Sequence, residues 1–444
     1  MQESGRRRKP KPRRRIHRQR WSRVTSWILG LGFDIPSYNA SLTQQRCLNR
    51  RIGCAILAAL IRFPGPPMHS CDTPFGSLRL DRYPPTRNPT LQPFDAADLY
   101  LLQQLAPLPP GTDRVLVIND QFGTLACALA LTGTAVVSWS DSHLAERALH
   151  NNLQHNQLPA PAVTFIDSQQ LPSGPISRVL LRVPKSLALL EDQLSRLRPL
   201  LTADAVVIAG AMLKHLPPSA GDLLARYIGP YQASLAWKKA RLLTARFDSS
   251  LAPALPQLDT RYALPDDDVQ LTNLPGVFSR ERLDIGTRIM LPCIPRTEGP
   301  ARIVDLGCGN GALGIQAALH NPQAQLSFID ESYAAVASAR LNLSQACPGR
   351  DARFLVSDGL IDADTASADL VLCNPPFHQQ QVIGDEIALR LFQQSRAALA
   401  PDGALLVVGN RHLGYHVKLK RFFGKVEQVG GNSKFVVLRA SRLA

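Results

Sequence analysis

Short apolar runs and longer amphipathic stretches take turns along most of this chain. Arg302-Ile303-Val304 reads as the end of a buried parallel strand. Glycines follow at alternate positions, and a helical pattern runs from Ala312 through Ala318. Phe328-Ile329-Asp330 ends a second strand, Ser357-Asp358 ends a third, and Ala368-Asp369-Leu370-Val371-Leu372-Cys373 forms another apolar strand. Alternation of this kind predicts parallel strands with covering helices, an α/β doubly wound, Rossmann-like sheet. A hairpin from Val426 to Leu438 around Gly430-Gly431-Asn432 is expected to close it.

The same pattern occurs twice. Arg114 through Gly123 lines up with Arg302 through Gly311, and Asn152-Leu153 with Asn342-Leu343. Both strand–turn segments lead into a helix and a second strand ending in acid, with Asp141 set against Asp330. Val183 falls opposite Asn374, and Ser186 opposite Phe377. A repeat of about 190 residues is a duplicated domain and not a solenoid. Residues 68–245 make the first copy and 276–444 the second. Residues 246–275, with Pro253, Pro256, Pro265 and the acidic Asp266-Asp267-Asp268, are expected to be a linker.

Composition changes this picture only at the amino terminus. The net charge is +15, but residues 1–67 hold 15 Lys and Arg against two acids, so the remainder is near neutral. This basic extension lacks clear periodicity and reads as a mis-assigned start. A nucleic-acid-binding arm or a targeting segment is the alternative. Trp237-Lys238-Lys239-Ala240-Arg241, Lys214 and His215 form a second basic group, suited to phosphates or to a solvated strand face. No apolar run approaches the ~20 residues that span a membrane. Eight scattered cysteines make no C-x-x-C pair, so neither a zinc site nor a disulfide framework is expected, and a reducing cytoplasm fits.

Two motifs carry chemistry. The first is Asp305-Leu306-Gly307-Cys308-Gly309-Asn310-Gly311. Its glycines let the chain turn sharply and let a ligand approach the backbone, beside free N–H groups at a helix start. The G-x-G-x-G spacing differs from that of dinucleotide binders. It suits S-adenosyl-L-methionine, with Asp305 toward its ammonium end, Asp330 on the ribose hydroxyls and Asp358 on the adenine amino group. The bland reading is a tight strand–helix turn with surface acids. The second motif is Asn374-Pro375-Pro376-Phe377 at a strand's carboxyl end. An amino group conjugated to a base is a poor nucleophile. Two acceptors, the Asn374 side-chain carbonyl and the Pro375 backbone carbonyl, can take its N–H bonds and aim its lone pair at a methyl sulfonium. The prolines stiffen the clamp, and Phe377 offers a stacking face. The first copy lacks this equipment: Val117, Asn119 and Gln121 stand where Asp305, Gly307 and Gly309 do.

With these motifs and the duplication, the chain resembles the tandem-domain ribosomal RNA guanine-N2 methyltransferases. Phe75 through Pro84 and Asp95 through Leu102 resemble the opening of its large-subunit members. The resemblance covers residues 68–444. It implies an inactive first domain serving RNA binding or structure, and a catalytic second domain using S-adenosyl-L-methionine. The cofactor turn carries over to Asp305, Gly307, Gly309 and Gly311, and the catalytic tetrapeptide to Asn374 through Phe377. The implied substrate is a guanine of 23S rRNA, with 16S rRNA as the alternative. Protein glutamine and DNA adenine N-methyltransferases use similar clamps. A nicotinamide dehydrogenase would leave the tetrapeptide without a role.

Overall fold

The computed structural model describes residues 68–86, 88–109, 112, 114–265, 268–297, 299–361, 367–376 and 381–442, the side chains of 381–383 excepted. The expectations for residues 1–67 and for Phe377 therefore lie outside the described residues.

The first half opens with an antiparallel hairpin, β1 (His69–Thr73) and β2 (Gly76–Leu80), followed by helix Ala96–Leu105. It continues as β3 (Arg114–Ile118), β4 (Ala135–Ser140), β5 (Val163–Asp167), β6 (Ile176–Arg182), β7 (Leu201–Met212), β8 (Tyr231–Ala233) and β9 (Ala240–Arg246). These build one sheet in the order β5-β4-β3-β6-β7-β9-β8. Its first five strands are parallel, and β9 runs against both β7 and β8.

The second half repeats the plan. Hairpin β10 (Thr260–Ala263) and β11 (Gln270–Asn273) precedes helix Ile285–Met290. Then come β12 (Arg302–Leu306), β13 (Gln325–Asp330), β14 (Ala352–Val356), β15 (Ala368–Cys373), β16 (Leu399–Asn410), β17 (Lys425–Gly431) and β18 (Phe435–Ser441). The order β14-β13-β12-β15-β16-β18-β17 matches the first sheet strand for strand. Alternate residues of each central strand serve opposite faces. Val115, Val117 and Leu180 pack in one apolar cluster, and Leu116, Ile118 and Leu181 in another.

Three expectations need correction. Residues 260–273 are not linker: they form the counterpart of the opening hairpin and pack on the second half. The register at β6 also moves by one. Val304 pairs with Val371 as Leu116 pairs with Val179, and both β6 and β15 bulge at the same place. Arg182, not Val183, therefore stands where Asn374 does, and Pro184 opposite Pro376. Third, β4 ends at Ser140 as β13 ends at Asp330, so Asp141 matches Glu331.

A fully buried asparagine ties each hairpin to its strand–helix turn. Asn152 pairs both backbone groups of Asp81 and donates to the Phe122 carbonyl. Asn342 does the same with Thr272 and the Asn310 carbonyl. Replacing Asn342 by Ala strands three backbone groups in an apolar setting. The expected loss is about 2–4 kcal/mol of unfolding free energy, read from urea denaturation. An unchanged midpoint would show that the hairpin is not pinned there.

Candidate active site

In open α/β sheets ligands bind at the carboxyl ends of strands where the strand order reverses. Here that point lies between β12 and β15, and Asp305 and Asn374 flank it. Beyond β12 the backbone turns left-handed at Gly307 (φ 70°), Gly309 (φ 52°) and Gly311 (φ 87°). A Cβ on Gly307 or Gly309 would meet nothing within 4 Å, so both border open space. Gly311 differs: a Cβ there would press on the Ala339 backbone at 3.1 Å. It is the packing glycine of the three. Gly314 is a fourth, not expected from the sequence, because a Cβ would strike Phe328 at 2.3 Å and crowd Asp305.

The acids frame this turn. Asp305 is buried, and its Oδ2 accepts from the Gly314 N–H at 2.8 Å. Burial, with Asp330 nearby, pushes its carboxyl up to about 8. Asp330 accepts from the Gly309 N–H at 2.9 Å and the Ser332 N–H at 3.0 Å, which locks the glycine turn to the end of β13. Burial raises its carboxyl as well. Asp358 accepts from the Tyr83 hydroxyl at 2.9 Å and from Arg390. It would meet a ligand with both oxygens already engaged, though each retains a lone pair.

Asn374 follows β15. Its Nδ2 donates to Asp284 Oδ2 at 3.0 Å and lies 2.9 Å from Thr287 Oγ1. An ionised carboxylate only accepts, so the amide nitrogen must face Asp284 and the amide oxygen must face away. That oxygen is buried and has no partner. Asp284 also caps helix Ile285–Met290 by accepting from the Thr287 N–H at 2.9 Å. The stretch around Asp284 thus holds the amide that would grip a substrate. Its signal was a cap residue three positions before Thr287.

Asp305 Oδ1 and Ser357 Oγ are likewise buried without partners. Three orphaned polar atoms thus lie at the carboxyl ends of β12, β14 and β15, the same sheet edge that carries Gly307 and Gly309. Such a cradle fits a ligand carrying ammonium and hydroxyl donors, and S-adenosyl-L-methionine carries both. Among the described residues, no group of three or more His, Cys, Asp or Glu is arranged for a metal, and no helix is long and apolar enough to cross a membrane.

The first half keeps the frame and replaces the chemistry. Arg182 takes the Asn374 position and is clamped by Asp95 at 2.8 and 2.9 Å and by Asp98 at 3.3 Å. Asp95 and Asp98 occupy the places of Asp284 and Thr287. Arg182 only donates, so no free acceptor remains. Asn119 replaces Gly307, keeps the left-handed turn (φ 62°), and bonds to Gln193 and the Arg182 carbonyl. Asp120 accepts from the Ala126 N–H, as Asp305 does from Gly314, but from three positions later. Ser140 stands in for Asp330 and Gln169 for Asp358. Gly123, the partner of the packing Gly311, survives: a Cβ would touch Leu149 at 2.8 Å.

Comparison with known proteins agrees with this duplication. Residues 68–249 match the family described as RLMG N-terminal domain, and residues 268–439 the methyltransferase small domain. Ribosomal RNA large subunit methyltransferase G from Stutzerimonas stutzeri is 56% identical over 371 residues, covering 83% of this chain and 98% of the relative. Its namesake from Pseudomonas putida is 54% identical, covering 83% and 99%. In fold the chain resembles the T. thermophilus 16S rRNA N2 methyltransferase solved with AdoMet and guanosine. That likeness has a TM-score of 0.67 at 22% identity, over 85% of this chain and 98% of the other.

A proton count tests the cradle. With its carboxyl near 8, Asp305 is protonated at pH 7, and a cation beside it favours the ionised form. Titrating S-adenosyl-L-methionine into the protein at pH 7 should therefore release close to one proton, fading above pH 8. The release is read by calorimetry in buffers of different ionisation enthalpy. Heats independent of buffer would mean the ammonium does not meet Asp305.

Proposed function

We infer the reaction from membership and geometry together: the chain belongs to the ribosomal RNA large subunit methyltransferase G family. It is an S-adenosyl-L-methionine-dependent ribosomal RNA methyltransferase, and its methyl acceptor is the exocyclic N2 amino group of a guanine in 23S rRNA. One observation carries the mechanism, the buried and unpartnered Asn374 Oδ1 with its amide nitrogen fixed by Asp284 and Thr287.

The bound cofactor supplies an electrophilic methyl group on sulfonium. Gly307 and Gly309 would leave it room, Asp305 would receive its ammonium, and Asp330 and Asp358 would receive ribose and adenine donors. Gly311 holds the turn against helix Tyr333–Ala346. Asn374 Oδ1 accepts one guanine N2–H and the Pro375 carbonyl the other. With both N–H bonds held, the lone pair would be drawn out of conjugation with the ring and made available for methyl transfer. Pro376 fixes the chain, and Phe377 stacks on the base. No strong base would be required: as the N–C bond formed and the sulfonium C–S bond broke to a neutral thioether, the amino group would become cationic and acidic, and its proton could pass to solvent. Alignment and preorganised dipoles supply the rate.

We assign catalysis to residues 276–444 together with hairpin 260–273, and RNA binding or support to residues 68–245. The basic Trp237-Lys238-Lys239-Ala240-Arg241 segment supports the RNA-binding part. A cytoplasmic location fits the ribosomal RNA substrate and the free thiols of the described cysteines.

Asn374→Ala should keep cofactor affinity and lower turnover on the order of 10²–10³-fold. Asp284→Ala should lower turnover in the same direction with the cofactor KM unchanged, because Asn374 is then free to rotate. Near-normal turnover in Asn374→Ala would rule out the clamp. Phe377→Ala should weaken RNA engagement by roughly 1–3 kcal/mol. Mass mapping should find N2-methylguanine in 23S rRNA. Methyl groups appearing only in 16S rRNA, on adenine or on protein would refute the substrate.

A further inference from the structure

The first half reaches the cofactor edge of the second at two places. At one, the turn after β4 meets the turn after β13. Ser142 and Ser332 form an antiparallel bridge, the His143 N–H donates to the Glu331 carbonyl at 2.9 Å, and the Tyr333 N–H to the Asp141 carbonyl at 3.1 Å. Asp141 Oδ2 accepts from the Ser332 hydroxyl at 2.5 Å, and its Oδ1 from the Ala334 N–H at 2.8 Å. Asp141 therefore caps a helix of the other half. The Ser332 hydroxyl, oriented by Asp141, accepts from the Ala335 N–H at 3.0 Å within that helix. Asp330 grips this same turn from the opposite side through the Ser332 N–H, and grips the glycine turn through the Gly309 N–H.

At the other place Tyr83 donates to Asp358 Oδ2 while Arg390 donates to Oδ1. Gln394 holds the backbone there, donating to the Asp358 carbonyl at 3.2 Å and accepting from the Leu360 N–H at 3.0 Å. Tyr83 is itself steadied by the Arg147 guanidinium, 5.3 Å from its ring centroid. Both cross-contacts end on an acid, or on the turn of an acid, assigned above to the cofactor.

We propose that Asp141 and Tyr83, in the half without its own cofactor site, are positioning residues for the S-adenosyl-L-methionine pocket of the other half. This rests on the reading that Asp330 and Asp358 line that pocket. Asp141 and Tyr83 act through the groups they bond, the Ser332 turn and Asp358. Each removes freedom from a carboxylate whose geometry decides how well ribose and adenine donors are met. Loss of either shifts the orientation of the acids before binding, so cofactor binding must first restore it, at a cost in affinity. Once the cofactor is saturating, the chemistry at Asn374 is untouched.

The test uses the full chain. Asp141→Asn keeps shape and removes the charge. Tyr83→Phe removes one hydroxyl and keeps the ring, so it remains decisive if the first variant fails to fold. Calorimetry with S-adenosyl-L-methionine should show Kd raised on the order of tenfold for each variant. Initial rates on 23S rRNA should show a raised cofactor KM, kcat within about twofold of wild type, and an unchanged RNA KM. The unliganded melting temperature of Tyr83→Phe should match wild type. Wild-type Kd in both variants, or in Tyr83→Phe alone if only it folds, would overturn the proposal. So would a lower melting temperature with Kd unchanged, which marks plain domain adhesion. Asp305→Ala separates the two levels. If it binds cofactor normally, the pocket reading has failed. If it loses binding while the other two variants bind like wild type, only the positioning role has failed.

Discussion

Everything at this site depends on a carboxylate that can only accept. Asp284 sits where a helix begins, so it has to answer that helix's free N–H, and it takes the Asn374 amide nitrogen as well. The amide then has one orientation left, with its oxygen turned away from Asp284, buried and unpaired. The rest of the fold serves this placement. β15 lies beside β12 and ends level with it, Leu306 against Cys373, which brings Asn374 to the glycine turn where strand order reverses. The bulge early in β15 fixes which residue arrives there.

The first half shows what happens when the same scaffold receives a donor in place of that amide. Arg182 meets Asp95 and Asp98 and saturates them. The turn above it fills with the Asn119–Gln193 pair, and Asp120 continues to hold the helix start. Features needed for folding persist, among them the packing Gly123, the buried Asn152 and the left-handed turn at residue 119. Features needed only by ligands are gone. The contrast separates the two duties of the glycine turn more sharply than either half alone. Gly311 is there for the helix behind it, Gly307 and Gly309 for the space in front.

Much of this was legible in the sequence because it is local. Strand–helix alternation, the glycine turn and the asparagine–proline clamp each lie within a dozen residues, and their order determines the sheet. What was missed depends on register or distance. Pro184 can be set against either Pro375 or Pro376, and only the pairing of β6 with β3 decides between them, which is why Arg182 was overlooked. Hairpin 260–273 has two strands of four residues around Pro265, too short for alternation to stand out. Asp284 drew no notice in the sequence, because its bond to Asn374 spans 90 residues. The Tyr83–Asp358 contact spans 275.

The contact between the halves has a property that ordinary domain boundaries lack. Ser332 reaches Asp141 while Ser142 reaches Glu331 at 2.6 Å, and Ala334 N–H on Asp141 is mirrored by Leu144 N–H on Glu331. Equivalent residues exchange equivalent bonds, as across the two-fold axis of a homodimer. The chain carries the geometry of a symmetric dimer whose subunits were joined head to tail into one polypeptide. In a true dimer every substitution appears on both sides of the axis, so a subunit cannot lose its chemistry without the assembly losing all of it. Fusion removes that constraint and lets one side drift while the axis remains.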